Sequence, residues 1–257
     1  MLKKEINTEW FKDWFDSDYY HILYQDRNDD EATLFITNII RFLNITPKQH
    51  VLDLACGKGR HALILNQFDL NVVGVDLSHN SILEANKNSN STLAFFVHDM
   101  RDKLSFSNLD VIFNLFTSFG YFDDTNDNIK VLKSVFDALK SDGYFVIDFM
   151  NAKKVIENLT PNEVKICSNI NFKIERWHDD KHIYKKIQFD VEVDEGNNVK
   201  REENIFLERV QILFLSDFER LLNKSGFYIE NKFGNYHLDS FDENNSDRLI
   251  LIIRKHE

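Results

Sequence analysis

The 257-residue chain predicts an α/β fold, and three observations carry that prediction. Short apolar runs at Val51–Leu54, Val72–Asp76, Leu93–Val97, Asp110–Leu115 and Tyr144–Met150 alternate with stretches of helical periodicity. That is the pattern of a parallel sheet covered on both faces. After Asn151 the period changes to two, with apolar and polar residues alternating over 163–176, 183–194 and 203–214. This predicts an antiparallel unit of about three strands set into the α/β domain. Finally, the first apolar run leads into VLDLACGKGR, a strand followed by a loop of small residues that can bring bare backbone against a ligand.

Taken in order, residues 7–24 mix Trp10, Trp14, Phe15, Tyr19, Tyr20 and Leu23 with acidic residues in a weakly amphipathic helical pattern. A clearer helix spans 29–43, where Ala32, Phe35, Ile36, Ile39, Ile40 and Leu43 recur at helical spacings. Thr46-Pro47 breaks the pattern. Arg60–Phe68 reads as the helix behind the loop, and Ser78 as the cap of the next helix, with Ile82 and Ala85 inward. Ile129–Leu139 is helical, and Ser141-Asp142-Gly143 reads as a turn into strand five. Ile187, Phe189, Val191 and Val193 mark one face of the antiparallel unit, and Asp194-Glu195-Gly196-Asn197-Asn198 reads as a hairpin turn. Leu215–Lys224 returns to helix, and Phe227–Phe233 and Arg248–Ile253 are closing strands.

A formal charge of −11 argues against wrapping a nucleic acid backbone or lying on anionic lipid, since both need a positive footprint. Cys56 and Cys167 are too far apart in sequence for a metal or disulfide motif. The N-terminus MLKKEINTEWFKDWF is too polar for a signal peptide core, and no apolar run is long enough to span a membrane. A cytoplasmic, non-membrane protein with no metal is the expectation.

The loop alone leaves its ligand open. A dinucleotide site wants G-x-G-x-x-G, and only the register Gly57, Gly59, Ala62 approaches it, two residues late. Asp76, at the end of the second strand, can accept hydrogen bonds from a ribose diol, which suits NAD and S-adenosylmethionine equally. Asp99, in FVHDMRD at the end of the third strand, can meet an adenine amine, with Met100 packed on the ring. A third ligand-edge feature at that place, after the loop and Asp76, favours a single adenosine lying across several strand ends. Asp53 lies inside the first strand, where a buried carboxylate needs backbone N–H partners and can brace the loop.

With these residues in hand, the chain resembles the class I S-adenosylmethionine-dependent methyltransferases. Motif I corresponds to Asp53, Leu54, Ala55, Cys56, Gly57, Lys58 and Gly59, the ribose acid to Asp76 and the adenine-site acid to Asp99. A bacterial small-molecule subgroup is resembled through ACGKGRH (Ala55–His61), VGVDLS (Val73–Ser78), DMR (Asp99–Arg101) and SFGYF (Ser118–Phe122). Sugar N,N-dimethyltransferases and glycine N-methyltransferase-like enzymes are similar too. The resemblance implies a three-layer Rossmann-like methyltransferase fold, with a seven-stranded, mostly parallel sheet whose last strand is antiparallel to its neighbours, and an inserted antiparallel β unit. It divides the chain into 1–151, with the N-terminal helices and most of the cofactor site; 152–214, serving substrate selection or dimerisation; and 215–257, closing the main domain. One departure is that Ala55 stands where the family has glycine.

The implied cofactor is S-adenosylmethionine, leaving as S-adenosylhomocysteine. Its expected contacts are Asp53, Ala55, Cys56, Gly57, Gly59, Arg60, Asp76, Leu77, Asp99, Met100 and Leu115, with Tyr20 (and Tyr24) as a lid over the methionine part. Methyl transfer from a sulfonium is an in-line displacement, in which alignment and exclusion of water matter most. Tyr121 is the candidate catalytic residue and Phe119 a candidate cavity wall. Asn114 lacks the following prolines of adenine and glutamine methyltransferases, and neither cysteine follows a proline as a cytosine C5 nucleophile would. Arg27 is a candidate carboxylate partner; Arg176, Trp177, His178, Tyr184 and Arg209 are candidates for a substrate cap. The expected acceptor is a small metabolite, such as an amine, methylated on N or O by a monomer or homodimer, with nucleic acid disfavoured. A protein or RNA methyltransferase and a catalytically decayed cofactor-binding module are the alternatives.

Overall fold

The computed structural model describes residues 9–25, 29–194 and 199–256, so Arg27 and most of the turn read at 194–198 lie outside the described residues. In chain order the elements are α1 (Trp10–Phe15), α2 (Asp18–Leu23), α3 (Asp29–Phe42), β1 (His50–Leu54), α4 (Arg60–Asn66), β2 (Asn71–Asp76), α5 (His79–Ala85), β3 (Leu93–Val97), β4 (Leu109–Asn114) and α6 (Thr125–Ala138). There follow β5 (Leu139–Met150), α7 (Ala152–Glu157), β6 (Asn162–Cys167), β7 (Ile170–His178), β8 (His182–Asp194), β9 (Val199–Gln211), α8 (Leu215–Lys224), β10 (Phe227–Phe233) and β11 (Arg248–Lys255). They fall into two compact units: residues 28–155 with 213–257, and residues 156–212 with the N-terminal segment up to residue 27.

The larger unit is a seven-stranded sheet in the order β10-β11-β5-β4-β1-β2-β3. Strands β1 to β5 pair in parallel, while β11 runs antiparallel to both β5 and β10, as the closing strand should. The strands are apolar on both faces because both are covered. Val51, Val72, Phe95, Val111, Phe113, Val146 and Ile250 pack with Phe35, Ile36 and Ile39 of α3, Ala62 and Leu65 of α4 and Ile82 of α5. On the opposite face Phe149 meets Phe218 of α8 edge-on at 5.3 Å, and Phe145 lies 6.2 Å from Phe227. The result is a three-layer α/β fold. Ser78 caps α5 by accepting a bond from the Ser81 N–H, as read from the sequence.

One local expectation is corrected. Ser141–Gly143 do not form a free turn but lie within β5, where the pairing jumps from Leu109↔Leu139 to Val111↔Tyr144. The extra residues bulge out of the ladder. Gly143 passes so close to β4 that a Cβ there would stand 3.0 Å from the Leu109 carbonyl oxygen.

The smaller unit is an antiparallel sheet, β6-β7-β8-β9. It has four strands rather than about three because 163–176 folds back on itself. Ser168 and Asn169 take left-handed φ values of 46° and 64°, and Cys167 pairs with Ile170 across them. This is the two-residue turn whose twist matches that of the flanking strands. Phe172, Ile174, Ile187 and Phe189 are buried on one face. Trp14 lies 4.5 Å from Phe206, and Tyr19 4.7 Å from Phe189, which ties the N-terminal helices to this sheet. The described part of the 7–24 stretch holds two short helices, α1 and α2, because Ser17 stops α1 and caps α2 by accepting the Tyr20 N–H at 3.2 Å. Among the described residues no helix is long and apolar enough to cross a membrane.

Candidate functional site

In an open parallel sheet, ligands bind beyond the carboxyl ends of the strands, where the strand order reverses. Here that place lies between β1 and β4, and the loop leaving β1 occupies it. Ala55, Gly57 and Gly59 take left-handed φ values of 64°, 55° and 83°. The loop is tied down by Cys56 N–H to the Val75 carbonyl at 3.0 Å and Gly59 N–H to the Cys56 carbonyl at 3.0 Å. Its glycines do different work. A Cβ on Gly59 would stand 2.6 Å from the Phe95 ring, and one on Gly74 would stand 2.5 Å from Phe95 and 2.9 Å from the Cys56 sulfur. Those two let the loop and β2 close over Phe95. Nothing lies within 4 Å of a Cβ placed on Gly57. Its bare backbone faces open space.

Asp76 stands beside that opening. Its Oδ2 accepts the Gly57 N–H at 2.8 Å and its Oδ1 the Ser78 N–H at 2.8 Å. Leu77 and Met100 are half-buried in the turns that follow β2 and β3. Asp53 is almost fully buried in β1 with Oδ2 lacking a hydrogen-bond partner. Burial, and then the charge of Asp76, push its pKa up to about 7, against the Ala62 backbone N–H and Arg60. Cys56 is buried, and burial followed by the charges of Asp53 and Asp76 raises its thiol well above the ordinary range. It is a packing residue of the loop. Leu115 is likewise buried in the core layer with Cys56 and Phe113.

Asp99 is engaged by Arg101. The Arg101 backbone N–H donates to Oδ1 at 3.0 Å, while Nε and Nη2 reach the carboxylate at 3.0 and 2.5 Å. Arg101 also lies 5.1 Å over the Phe122 ring and 3.8 Å from Asp127. The DMR and SFGYF motifs therefore meet through one arginine.

The turn after β4 holds what the sequence reading missed. Phe116 and Thr117 are both left-handed, with φ of 60° and 59°. Such a pair is costly for residues bearing a Cβ and needs fixing from outside. Asp148, buried in β5, supplies the fixing. It accepts the Phe116 N–H at 2.9 Å and the Tyr236 hydroxyl at 3.1 Å on Oδ2, and Arg248 Nε at 2.8 Å on Oδ1. Its carbonyl accepts the Thr117 N–H at 2.9 Å, and Arg248 also donates to Thr117 Oγ1 at 3.0 Å. Tyr236 is stacked on Phe35 at 4.5 Å, and burial raises its hydroxyl pKa. Arg60, first residue of α4, lies 5.4 Å over the Phe116 ring. No spacing in the sequence links positions 60, 116, 148, 236 and 248; only the strand order does.

Asn114 is fully buried at the end of β4, its amide donating to the Leu54 carbonyl at 3.0 Å while Oδ1 has no partner. Tyr121 is half-buried just beyond Gly120. Phe119 is fully buried, 5.8 Å from Phe218, and so packs the loop onto α8 rather than walling a cavity.

The remaining candidates belong to the smaller unit. Tyr20 packs against Trp14, Phe15 and Tyr24 at centroid distances of 5.6, 4.9 and 5.0 Å. Tyr24 donates to Glu208 Oε1 at 2.8 Å and accepts a bond from Lys185. Burial lowers the Lys185 pKa, with Glu208 opposing. Arg176 pairs with Glu163 at 2.6 Å, Trp177 stacks on Tyr184 at 5.2 Å, and Arg209 is buried in β9.

Comparison with known proteins matches this geometry to a family. A family model described as "Methyltransferase domain" matches residues 45–185, the span from before β1 into β8. YqeM of Bacillus subtilis (strain 168), a methyltransferase by name, is 32% identical over 117 residues, 44% of this chain and 47% of that protein. The match thus spans about half of that relative's length. A solved S-adenosylmethionine-dependent methyltransferase of Clostridium acetobutylicum is similar in fold, with a TM-score of 0.75 at 22% identity, covering 93% of this chain and 96% of that one. The sugar N-methyltransferase KedS8 of a Streptoalloteichus species is similar with a TM-score of 0.69 at 16% identity, covering 92% and 93%. With more than half of its residues matched by that model, the loop after β1 and the acid at the end of β2 among them, the chain belongs to the methyltransferase-domain family.

Proposed function

We propose that the protein transfers a methyl group from S-adenosylmethionine to nitrogen, or else oxygen, of a small metabolite. The open backbone at Gly57 beside Asp76 carries this reading: a left-handed glycine with free space over it and a carboxylate 2.8 Å from its N–H suit an adenosine ribose. Bound there, the cofactor supplies an electrophilic methyl on a sulfonium, and the sulfur keeps the C–S electron pair as the acceptor's lone pair forms the new bond. The chain's residues do the rest. Asp76 orients the ribose. The Phe116-Thr117 turn, held by Asp148 and Arg248, keeps the end of β4 fixed for in-line approach of the acceptor. Asp99 braces the adenine side with Arg101, and Tyr121 is the group proposed to meet the acceptor. An amine reaching the site unprotonated needs no strong base before attack and sheds its proton afterwards.

A small acceptor is supported by the net charge of −11, which disfavours a nucleic acid partner, and by the absence of prolines after Asn114. Nitrogen is supported by the likeness to a sugar N-methyltransferase. Incubation with methyl-labelled S-adenosylmethionine and panels of amino sugars, small amines and hydroxy acids tests the proposal. Label transferred to an amine, and lost in Asp76→Ala, is the expected result. Transfer only to RNA or protein would overturn the acceptor class.

A further inference from the structure

Arg248 holds the strained turn with only part of its guanidinium. Its Nε donates to Asp148 Oδ1 at 2.8 Å and its Nη2 to Thr117 Oγ1 at 3.0 Å, with the Asp148 carbonyl 3.5 Å from Nη2. A guanidinium carries five N–H donors, and the two on Nη1 have no hydrogen-bond partner among the described residues. The Thr117 hydroxyl accepts from Arg248, and its own proton likewise meets no acceptor among them. The Arg248 side chain is 19% exposed, and Thr117 is half-buried. The rings of Phe116 and Tyr236 stand 5.8 and 5.9 Å from the guanidinium carbon and limit the water around it. Burial opposes the charge of Arg248, but Asp148 and Tyr236 outweigh burial and hold its pKa above the ordinary value, with exposed Glu31 of α3 adding to them. Arg60 lies 5.4 Å over the same Phe116 ring, so two guanidinium groups flank it.

The place of these donors in the fold gives them a ligand. Arg248 opens β11 opposite Met150, at the carboxyl end of β5, and Thr117 lies in the turn at the carboxyl end of β4. Asp76 ends β2, four strands away from β11, or roughly 19 Å at the usual strand spacing. The donors therefore stand at the ligand-binding edge of the sheet, but on the side away from the ribose acid. We infer that Arg248 Nη1 and the Thr117 hydroxyl bind a carboxylate of the acceptor, so that the metabolite methylated is an amino acid or another amine bearing a carboxylate. The inference rests on the methyl-transfer reading above and narrows its acceptor class. One carboxylate oxygen takes an Nη1 proton and the other the Thr117 proton, and the guanidinium makes its bond charge-assisted. A neutral amine leaves both donors without a partner once it covers them, so the site discriminates against it.

Methyl-labelled S-adenosylmethionine and the full chain test it, with amino acids each set beside its methyl ester and with amino sugars and phosphoethanolamine as amines lacking a carboxylate. Label is expected in an amino acid, with kcat/KM falling roughly ten- to a hundredfold for its ester. Thr117→Val keeps the branched shape and loses the hydroxyl; it is expected to narrow the gap between acid and ester, and Thr117→Ser to restore it. The acid–ester comparison on the parent chain stands by itself if Thr117→Val fails to fold. Equal kcat/KM for acid and ester would overturn the inference, as would label absent from every amino acid while S-adenosylhomocysteine binds. So would a Thr117→Val chain that loses S-adenosylhomocysteine but keeps 5′-methylthioadenosine, since the donors would then serve the carboxylate of the cofactor. A chain that binds neither sulfur ligand would instead overturn the reading beneath it.

Discussion

At the scale of single residues, Gly57 and Gly59 are the same amino acid two positions apart and should fail differently. Both are left-handed, so alanine at either incurs roughly 1–2 kcal/mol of backbone strain. Gly59→Ala also drives a methyl into Phe95, and the expected result is a lower unfolding midpoint. Gly57→Ala meets nothing within 4 Å, so its loss of stability is confined to the strain, while the methyl occupies the space proposed for ligand. Calorimetry should show S-adenosylhomocysteine binding weakened at least about tenfold in that variant, about 1.4 kcal/mol. Asp53 makes a pH prediction. Its folded pKa of about 7 lies above the ordinary aspartate value of 3.8, so the folded state holds a proton that the unfolded state has released between those pH values. Stability should fall as pH rises through that window and level off above it, by on the order of 4 kcal/mol. Denaturant midpoints between pH 4.5 and 8.5 should lose much of this slope in Asp53→Asn; an unchanged slope would assign it elsewhere.

At the scale of elements, the Asp148–Arg248–Tyr236 network joins β5, β11 and the loop before β11 to the strained turn after β4. Asp148 is almost wholly buried and Arg248 largely so. Removing one partner of such a pair leaves a buried charge and costs about 3–5 kcal/mol. Asp148→Ala is therefore expected to lose that much in urea unfolding. Tyr236→Phe, which removes one bond, should lose about 1 kcal/mol. The exposed pair Arg254–Glu230, 3.5 Å apart on the same sheet, should change stability by no more than about 1 kcal/mol when broken. How legible the elements were follows the same physics. The parallel strands and α3 could be read because their burial imposes a period on adjacent residues. The Ser141–Gly143 bulge and the split of 163–176 could not, since Gly and Asn permit several conformations and only the partner strand selects one. The β1 loop and Asp76 were visible as a local motif. Asp148 and Arg248 were not, because they meet only after β11 inserts between β5 and β10.

At the scale of the whole molecule, the two units set out what the fold offers: a covered parallel sheet with its open loops at one end, and an antiparallel sheet carrying the N-terminal helices on one face. The acidic balance, −11 over the chain, predicts that binding of a small cofactor changes little with ionic strength, in contrast to the steep salt dependence of a protein that neutralises phosphates. The central claim is that the opening at Gly57 and Asp76 holds S-adenosylmethionine. Titration calorimetry of the intact chain with S-adenosylmethionine, S-adenosylhomocysteine and NAD, repeated on Asp76→Ala, tests it most directly. The account predicts saturable binding of both sulfur ligands, little of NAD, and loss of the sulfur-ligand heats in a variant that still unfolds cooperatively. Binding of NAD in preference to either sulfur ligand, or sulfur-ligand binding unaltered by Asp76→Ala, would contradict it.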